Sequence, residues 1–405
     1  MSLELCKGIA VVIDDKALPK PNEAKEEIVK IIQKIKAGDI PLCIYTDLSE
    51  AQKAIQNLHS VSFLIIDWDM QGQLDDEYAD EIIKPSQANR VIKFITEFKK
   101  ICFCPIFIFS NAGVGDIQDS LKAHNPPLFF DDDKKNFIHV QSKKDLVKGK
   151  KLFSVINKWI TENPTNYTLK SWENSFTQAK TDTFWHLFSK SPIWPKVMWE
   201  SFMDDSVEPE SNMNEVIYRL IKSRSSLSKL DSKKVNRRKH PLNHDEIKDV
   251  IQGMMFIDKK HIPENEIRPG DIYAGSKGKY FMNIRPECDT IFGRKDKAGN
   301  QLFDGNVYLI EGSKVTSNQF RKTYYNPKHG LNLKHDHILI YGIDGKDFIR
   351  FNFKEMFIHQ YASVKNKLLT RLIPPYINNV QQQYSAYVGR FGLPRIPNKV
   401  LKGIK

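Results

Sequence analysis

Apolar residues recur along this chain with two different periods. Over residues 1–160, five short β-rich runs read as strands: GIAVVI (Gly8–Ile13), PLCIYT (Pro41–Thr46), VSFLIID (Val61–Asp67), CPIFIFS (Cys104–Ser110) and NFIHVQS (Asn136–Ser142). Between them, apolar positions move to helical spacing. EAKEEIVKIIQKIKAG (Glu23–Gly38) sets Ile28, Ile31, Ile32 and Ile35 on one face and closes on a glycine. LSEAQKAIQNL reads as a helix with Ser49 as its N-cap. QANRVIKFITEFKK, GDIQDSLKAH and residues 144–161 complete the alternation. Strands with apolar residues at almost every position are buried on both faces. The expectation is an α/β, doubly wound parallel sheet of the flavodoxin-like kind, order 2-1-3-4-5.

Residues 161–240 change to a helical, aromatic pattern. WENSFTQAKTDTFWHLFSKSPIWPKVMWESF holds four of the six tryptophans, and Trp185 and Phe188 recur at helical spacing, as in a packed helical core. Ser223–Pro241 is basic, serine-rich and poor in apolar residues, so it reads as a linker. After a helix in NHDEIKDVIQGMMFI, residues 241–405 turn β-rich: GDIYAGSKGKYFMNIRP, GNVYLIEGS and DHILIYGIDGKDFIRFNF, the last with a hairpin signal at Asp344–Gly345. A helix after Pro375, stopped near Gly392, ends an α+β domain with a small β-barrel. Three segments follow: 1–160, 161–240 and 241–405.

Charge sharpens that division. Residues 1–150 hold 20 Lys and Arg against 23 Asp and Glu, a net of −3, which leaves 41 against 26, a net of +15, for the rest. Two modules with different partners are implied. No run approaches a membrane span, and no leader pattern opens the chain, so a cytoplasmic protein without membrane contact is expected. Five cysteines without paired spacing read as free thiols, Cys102 and Cys104 among them.

The candidate chemistry lies at the strand ends. Strand one ends in Asp14 and Asp15, strand three in Asp67 (two residues before Asp69) and strand four in Ser110; Lys143 follows strand five. In an open parallel sheet, ligands sit beyond the carboxyl ends at the switch point, here between strands one and three. Converging carboxylates repel one another, and Mg²⁺, which takes oxygen ligands, resolves that. Asp67 is then placed to attack a phosphoryl group, with Lys143 and Ser110 on its oxygens.

In chain order, VVIDD, FLIIDWDM, FIFSN and VQSK resemble the receiver domain of bacterial response regulators, over about residues 7–160. The resemblance implies Asp67 as phosphoacceptor, Asp15 as direct metal ligand, Asp14 acting through water and the Asp69 backbone carbonyl completing the Mg²⁺ set. Ser110 is then the switch hydroxyl and Lys143 the phosphate-binding lysine. A histidine kinase is the implied donor and a downstream effector protein the implied partner. The pattern departs from the family in the long loop after Asp15, in DMQG after the acceptor, in Val140 at the usual aromatic switch position and in Lys144, which opens a shifted pairing. IIDWDM and IFIFSN also resemble haloacid-dehalogenase-type phosphatases, which share the Asp nucleophile but place that strand first. GDIY…IRP is similar to the SH3-like barrels of PemK/MazF-type toxins. The layout, with PGDI…PECD and PPY…RFGLP, resembles receiver proteins of two-component-like antiviral operons of the Detocs kind, which implies relay or buffering of phosphoryl groups in antiviral defence. Two further sites are open: a Cys288, His335, His337 cluster for metal or nucleophilic chemistry, and nucleic-acid binding through the basic back half, chiefly Lys222–His240 with Arg237 and Arg238.

Overall fold

The computed structural model describes residues 5–18, 26–58, 60–70, 80–131, 136–147, 151–205, 207–225, 230–236, 243–264, 266–292, 298–326, 330–331, 335–343 and 347–390. They fall into two compact units: residues 1–190 with 217–239, and residues 191–216 with 240–405.

The first unit is built on a five-stranded parallel sheet. Its strands are β1 (Ile9–Ile13), β2 (Leu42–Tyr45), β3 (Val61–Ile66), β4 (Ile106–Ser110) and β5 (Ile138–Ser142), in the order β2-β1-β3-β4-β5. Helices α1 (Glu27–Ala37), α2 (Leu48–Ile55), α3 (Asp80–Ile101), α4 (Val114–Ala123), α5 (Lys143–Val147) and α6 (Lys151–Glu162) alternate with them. Successive strand residues face opposite sides, so each strand feeds two cores. Val11, Ile13, Leu64, Ile66 and Ile108 meet Leu48, Ala51 and Ile55 of α2, Val91, Ile95 and Phe98 of α3, and Ile117 and Leu121 of α4. Ala10, Val12, Phe63, Ile65, Phe107 and Phe109 meet Ile28, Ile31, Ile32 and Ile35 of α1, Leu146 of α5 and Leu152, Ile156 and Ile160 of α6. Every residue of β3 is buried, as a strand covered on both faces requires. Each buried Ile or Phe contributes roughly 1.5–3 kcal/mol, so these two layers hold the sheet and fix where its strands end.

Several sequence readings are corrected here. The N-cap of α2 is Asp47, not Ser49: its Oδ1 accepts from the backbone N–H of Ser49 at 2.7 Å and of Glu50 at 3.1 Å. A carboxylate satisfies two orphan donors at a helix start. Residues 144–161 form two helices, α5 and α6, rather than one. The long helix α7 (Pro164–Lys190) does not bury Trp185 or Phe188, which are 66% and 51% exposed. Its buried positions are Asn166, Tyr167, Lys170, Ser171, Ala179 and Thr183. Lys170 is fully buried there and donates to the Val61 carbonyl at 2.9 Å and to Glu173 at 2.8 Å. A paired cation therefore fastens α7 to the start of β3. Two more helices follow, α8 (Trp194–Asp204) and α9 (Pro209–Arg224). The middle of the chain is helical.

The second unit holds a curled antiparallel sheet. Its strands are β6 (Phe256–Asp258), β7 (Asp271–Ala274), β8 (Tyr280–Asn283), β9 (Asn306–Val315), β12 (His337–Tyr341), β13 (Phe348–Gln360) and β14 (Leu368–Leu372); β10 (Tyr325–Asn326) and β11 (Gly330–Leu331) pair separately. The order is β12-β13-β9-β8-β7-β14-β6, so the last long strand returns between β7 and β6. Gly270 permits that return. Its φ is +93°, and a Cβ there would lie 2.1 Å from the Leu372 carbonyl oxygen. Among the described strands, β12 and β6 end the ladder and do not pair with each other, so the sheet is half a barrel. Helix Tyr376–Val388 seats Ile377 and Val380 against Ile272, Met282, Ile310 and Phe351. The Asp344–Gly345 hairpin signal lies outside the described residues, and the last helix ends at Val388 with Gly389 as its C-cap, ahead of the expected stop near Gly392. No described helix is long and apolar enough to cross a membrane.

Candidate functional site

The parallel order makes β1 and β3 neighbours, and the register carries both to the same rim. The Asp14 N–H donates to the Tyr45 carbonyl at 3.0 Å, and the Asp67 N–H donates to the Ile13 carbonyl at 2.9 Å. Each acid therefore continues the ladder by one residue before its chain leaves the sheet. Carboxylate oxygens of Asp14, Asp15 and Asp67 lie within 4.8 Å of one another, the only such group of metal-ligating side chains among the described residues. Asp14 and Asp67 are buried and Asp15 is half-buried.

Lys143, the first residue of α5, reaches back to this rim. Its Nζ donates to Asp14 Oδ2 at 2.6 Å and to Asp67 Oδ2 at 2.5 Å. Lys144 is exposed, so Lys143 is the lysine of the cluster and the shifted pairing is not found. Ser110 ends β4 opposite Ser142. Its buried hydroxyl donates to Asp69 Oδ2 at 3.0 Å and accepts from the Ala112 N–H at 3.2 Å. Asp69 is itself exposed, two residues beyond the Asp67 carboxylate, and its N–H lies 3.4 Å from Asp67 Oδ1. All six residues singled out at the strand ends, Asp14, Asp15, Asp67, Asp69, Ser110 and Lys143, thus lie at one end of the sheet.

Asp14 and Asp67 share the Lys143 ammonium, and the Asp15 carboxylate lies beside them. Burial, opposed by Lys143 and reinforced by Asp67, pushes the Asp14 carboxyl up from 3.8 to about 6. Burial pulls the Lys143 ammonium down, but the charges of Asp67 and Asp14 outweigh it and hold the group above its ordinary value. Burying such a cluster does not repay its desolvation in stability, and clusters of this kind concentrate at functional sites. The donor set is all carboxylate oxygen, which suits a hard divalent cation such as Mg²⁺ and not a soft metal. Asp14, Asp15 and Asp67 fit that ion.

No protein-family model, curated protein or solved structure matches this chain.

The other candidates separate. Cys288 is exposed and donates to the neighbouring Asp289 at 3.3 Å. His337 opens β12, buried, with its Nδ1 2.7 Å from Asp336 Oδ1 and its ring edge-on to Tyr324. His335 lies in the turn before that strand, not on a strand face with His337. The three form no ligand group. Arg237 and Arg238 lie outside the described residues. What the sequence reading missed is a buried ion network in the second unit. Arg371 on β14 donates to Asp271 on β7 at 2.6 Å and also pairs with Glu266. The signal was present as a lone charge in each of two apolar runs, GDIY and LLTRL.

Proposed function

We propose that the first unit is a receiver-like phosphoacceptor of the flavodoxin-like, doubly wound kind, in which Asp67 takes a phosphoryl group from a phosphohistidine of a kinase. The reading is supported above all by Lys143 bridging Asp14 and Asp67 beside Asp15, with Ser110 on the next strand. An Asp67 carboxylate oxygen attacks phosphorus in line; the P–N bond breaks, and the donor imidazole leaves after taking up a proton. The product is an aspartyl phosphate. Lys143 moves from the two carboxylates to an oxygen of the phosphoryl group, and its ammonium offsets the charge that grows there. Ser110 turns its hydroxyl from Asp69 to a second oxygen. Asp14, Asp15, Asp67 and the Asp69 carbonyl would hold Mg²⁺, which would supply further charge neutralisation.

The phosphoryl state is then passed to a downstream protein or held in reserve, in a cytoplasmic signalling system. Incubation with acetyl phosphate and Mg²⁺ tests the reading. The expected result is one hydroxylamine-labile phosphoryl group per chain, mapped to Asp67 and missing from Asp67→Asn. Steady turnover of phosphomonoesters without accumulation would instead assign a phosphatase.

A further inference from the structure

Among the described residues, the second half of β13 carries an unpaired edge. The strand's first half pairs with β12 through His337↔Asn352 to Tyr341↔Phe348, and a register shift follows Phe351. Beyond it, among the described residues, Met356–Gln360 pairs only with β9, on one side. The Tyr361 N–H donates to the Gly305 carbonyl at 2.8 Å. That bond fixes the alternation: Phe357 and His359 direct their backbone groups at β9, whereas Met356, Ile358 and Gln360 direct theirs outward. The side chains there are apolar and open, with Met356 40%, Phe357 41% and Ile358 60% exposed. Strands are normally blunted at such an edge by charge, proline or a cover, and among the described residues this one has none along MFI.

We infer that this edge is the seat of a homodimer, in which Met356–Gln360 of two copies pair antiparallel about a two-fold axis at Phe357. The segment reads K-E-M-F-I-H-Q, and about that centre it complements itself. Met356 faces Ile358 of the other copy, and their outward N–H and C=O groups bond reciprocally on both sides of the axis. Glu355 faces the other copy's His359, an acid opposite a base, and Lys354 faces Gln360. Phe357 meets its own mate as a close, non-hydrogen-bonded pair, Cα atoms about 4.5 Å apart. Phe357 already packs edge-on against Phe281 at 6.1 Å, which holds the ring on its face of the sheet. A displacement by one residue would pair outward groups with inward ones and lose every bond, so the register is specified. A second copy satisfies backbone, apolar and charged positions together, which is why it is the occupant assigned.

The test is sedimentation of the full chain, with cross-linking in a Cys288→Ser background to silence the exposed thiol. The intact chain is expected to sediment as a dimer. Ile358→Pro deletes an N–H that points away from β9, so it should leave the unfolding transition in place and shift the chain to monomer mass. Phe357→Cys should form a covalent dimer on mild oxidation, because the Cα separation across the axis suits a disulfide. The equally exposed control Leu369→Cys should not. An intact chain that stays monomeric at tens of micromolar overturns the inference, as does a dimer in which Phe357→Cys fails to cross-link more than Leu369→Cys.

Discussion

Two of the molecule's buried ion networks are built on opposite principles. In the second unit, Arg371 on β14 faces Asp271 on the neighbouring strand and Glu266 in the loop before it, and the Arg371 fork fixes the geometry. Burial raises the Asp271 carboxyl, but Arg371 and the Arg268 N–H work against it. At the rim of the first unit, three acids stand at the ends of two neighbouring strands with one flexible lysine among them. Arginine keeps its charge and its two-pronged bonds, whereas a lysine is a point charge that can change partners. The first arrangement locks a sheet. The second gathers carboxylates around a flexible ammonium at the carboxyl ends of the strands, where open parallel sheets bind ligands.

Substitutions separate the two roles. Asp67→Asn should abolish acyl phosphate formation altogether while the far-ultraviolet dichroism stays native, because amide replaces carboxylate at equal volume. Lys143→Ala should lower the rate of phosphorylation by about a hundredfold, roughly 2.7 kcal/mol of transition-state stabilisation. Arg371→Ala should leave phosphorylation of Asp67 unchanged but cost about 3–5 kcal/mol in urea unfolding, because it strands the Asp271 carboxylate in the sheet. A loss of phosphorylation in Arg371→Ala, with the fold retained, would erase the distinction between the two networks.

The smallest effect is one of pH. The folded-state carboxyl of Asp14 sits at about 6, above its ordinary 3.8. Its contribution to stability is therefore fully present below 3.8 and is lost as pH rises through about 6. Asp14→Asn carries no such group. Its stability relative to the wild type should improve as pH rises from 5 to 7.5, by about 1 kcal/mol. Parallel stability curves for the two proteins across that range would show that Asp14 is not the group under strain.

Legibility followed the same divide. The parallel sheet and its rim could be read because central strands of such a sheet are continuous apolar runs, and a polar residue that ends one is conspicuous: Asp14, Asp67 and Ser110 all stand there. Ile28, Ile31, Ile32 and Ile35 announced α1 by spacing alone, and all four are buried. The antiparallel sheet was readable only as separate strands. Nothing local says that Leu368–Leu372 returns between β7 and β6, because that pairing depends on loops and on Gly270. Trp185 and Phe188 misled because aromatic spacing signals a face but not what covers it. The edge at Met356–Gln360, unpaired among the described residues, was invisible for a similar reason: MFIH alternates no differently from a covered strand, and only the strand pairing exposes it.

Titration calorimetry with Mg²⁺ tests the central claim most directly. In the proposed reading the acids at the rim hold a divalent cation, so the wild-type chain should bind one Mg²⁺ per molecule. Asp15→Asn and Asp67→Asn should bind at least tenfold more weakly, while Arg371→Ala binds as the wild type does. A wild-type chain that binds no Mg²⁺ at millimolar concentration, or one whose binding is untouched by both Asp substitutions, would contradict the account.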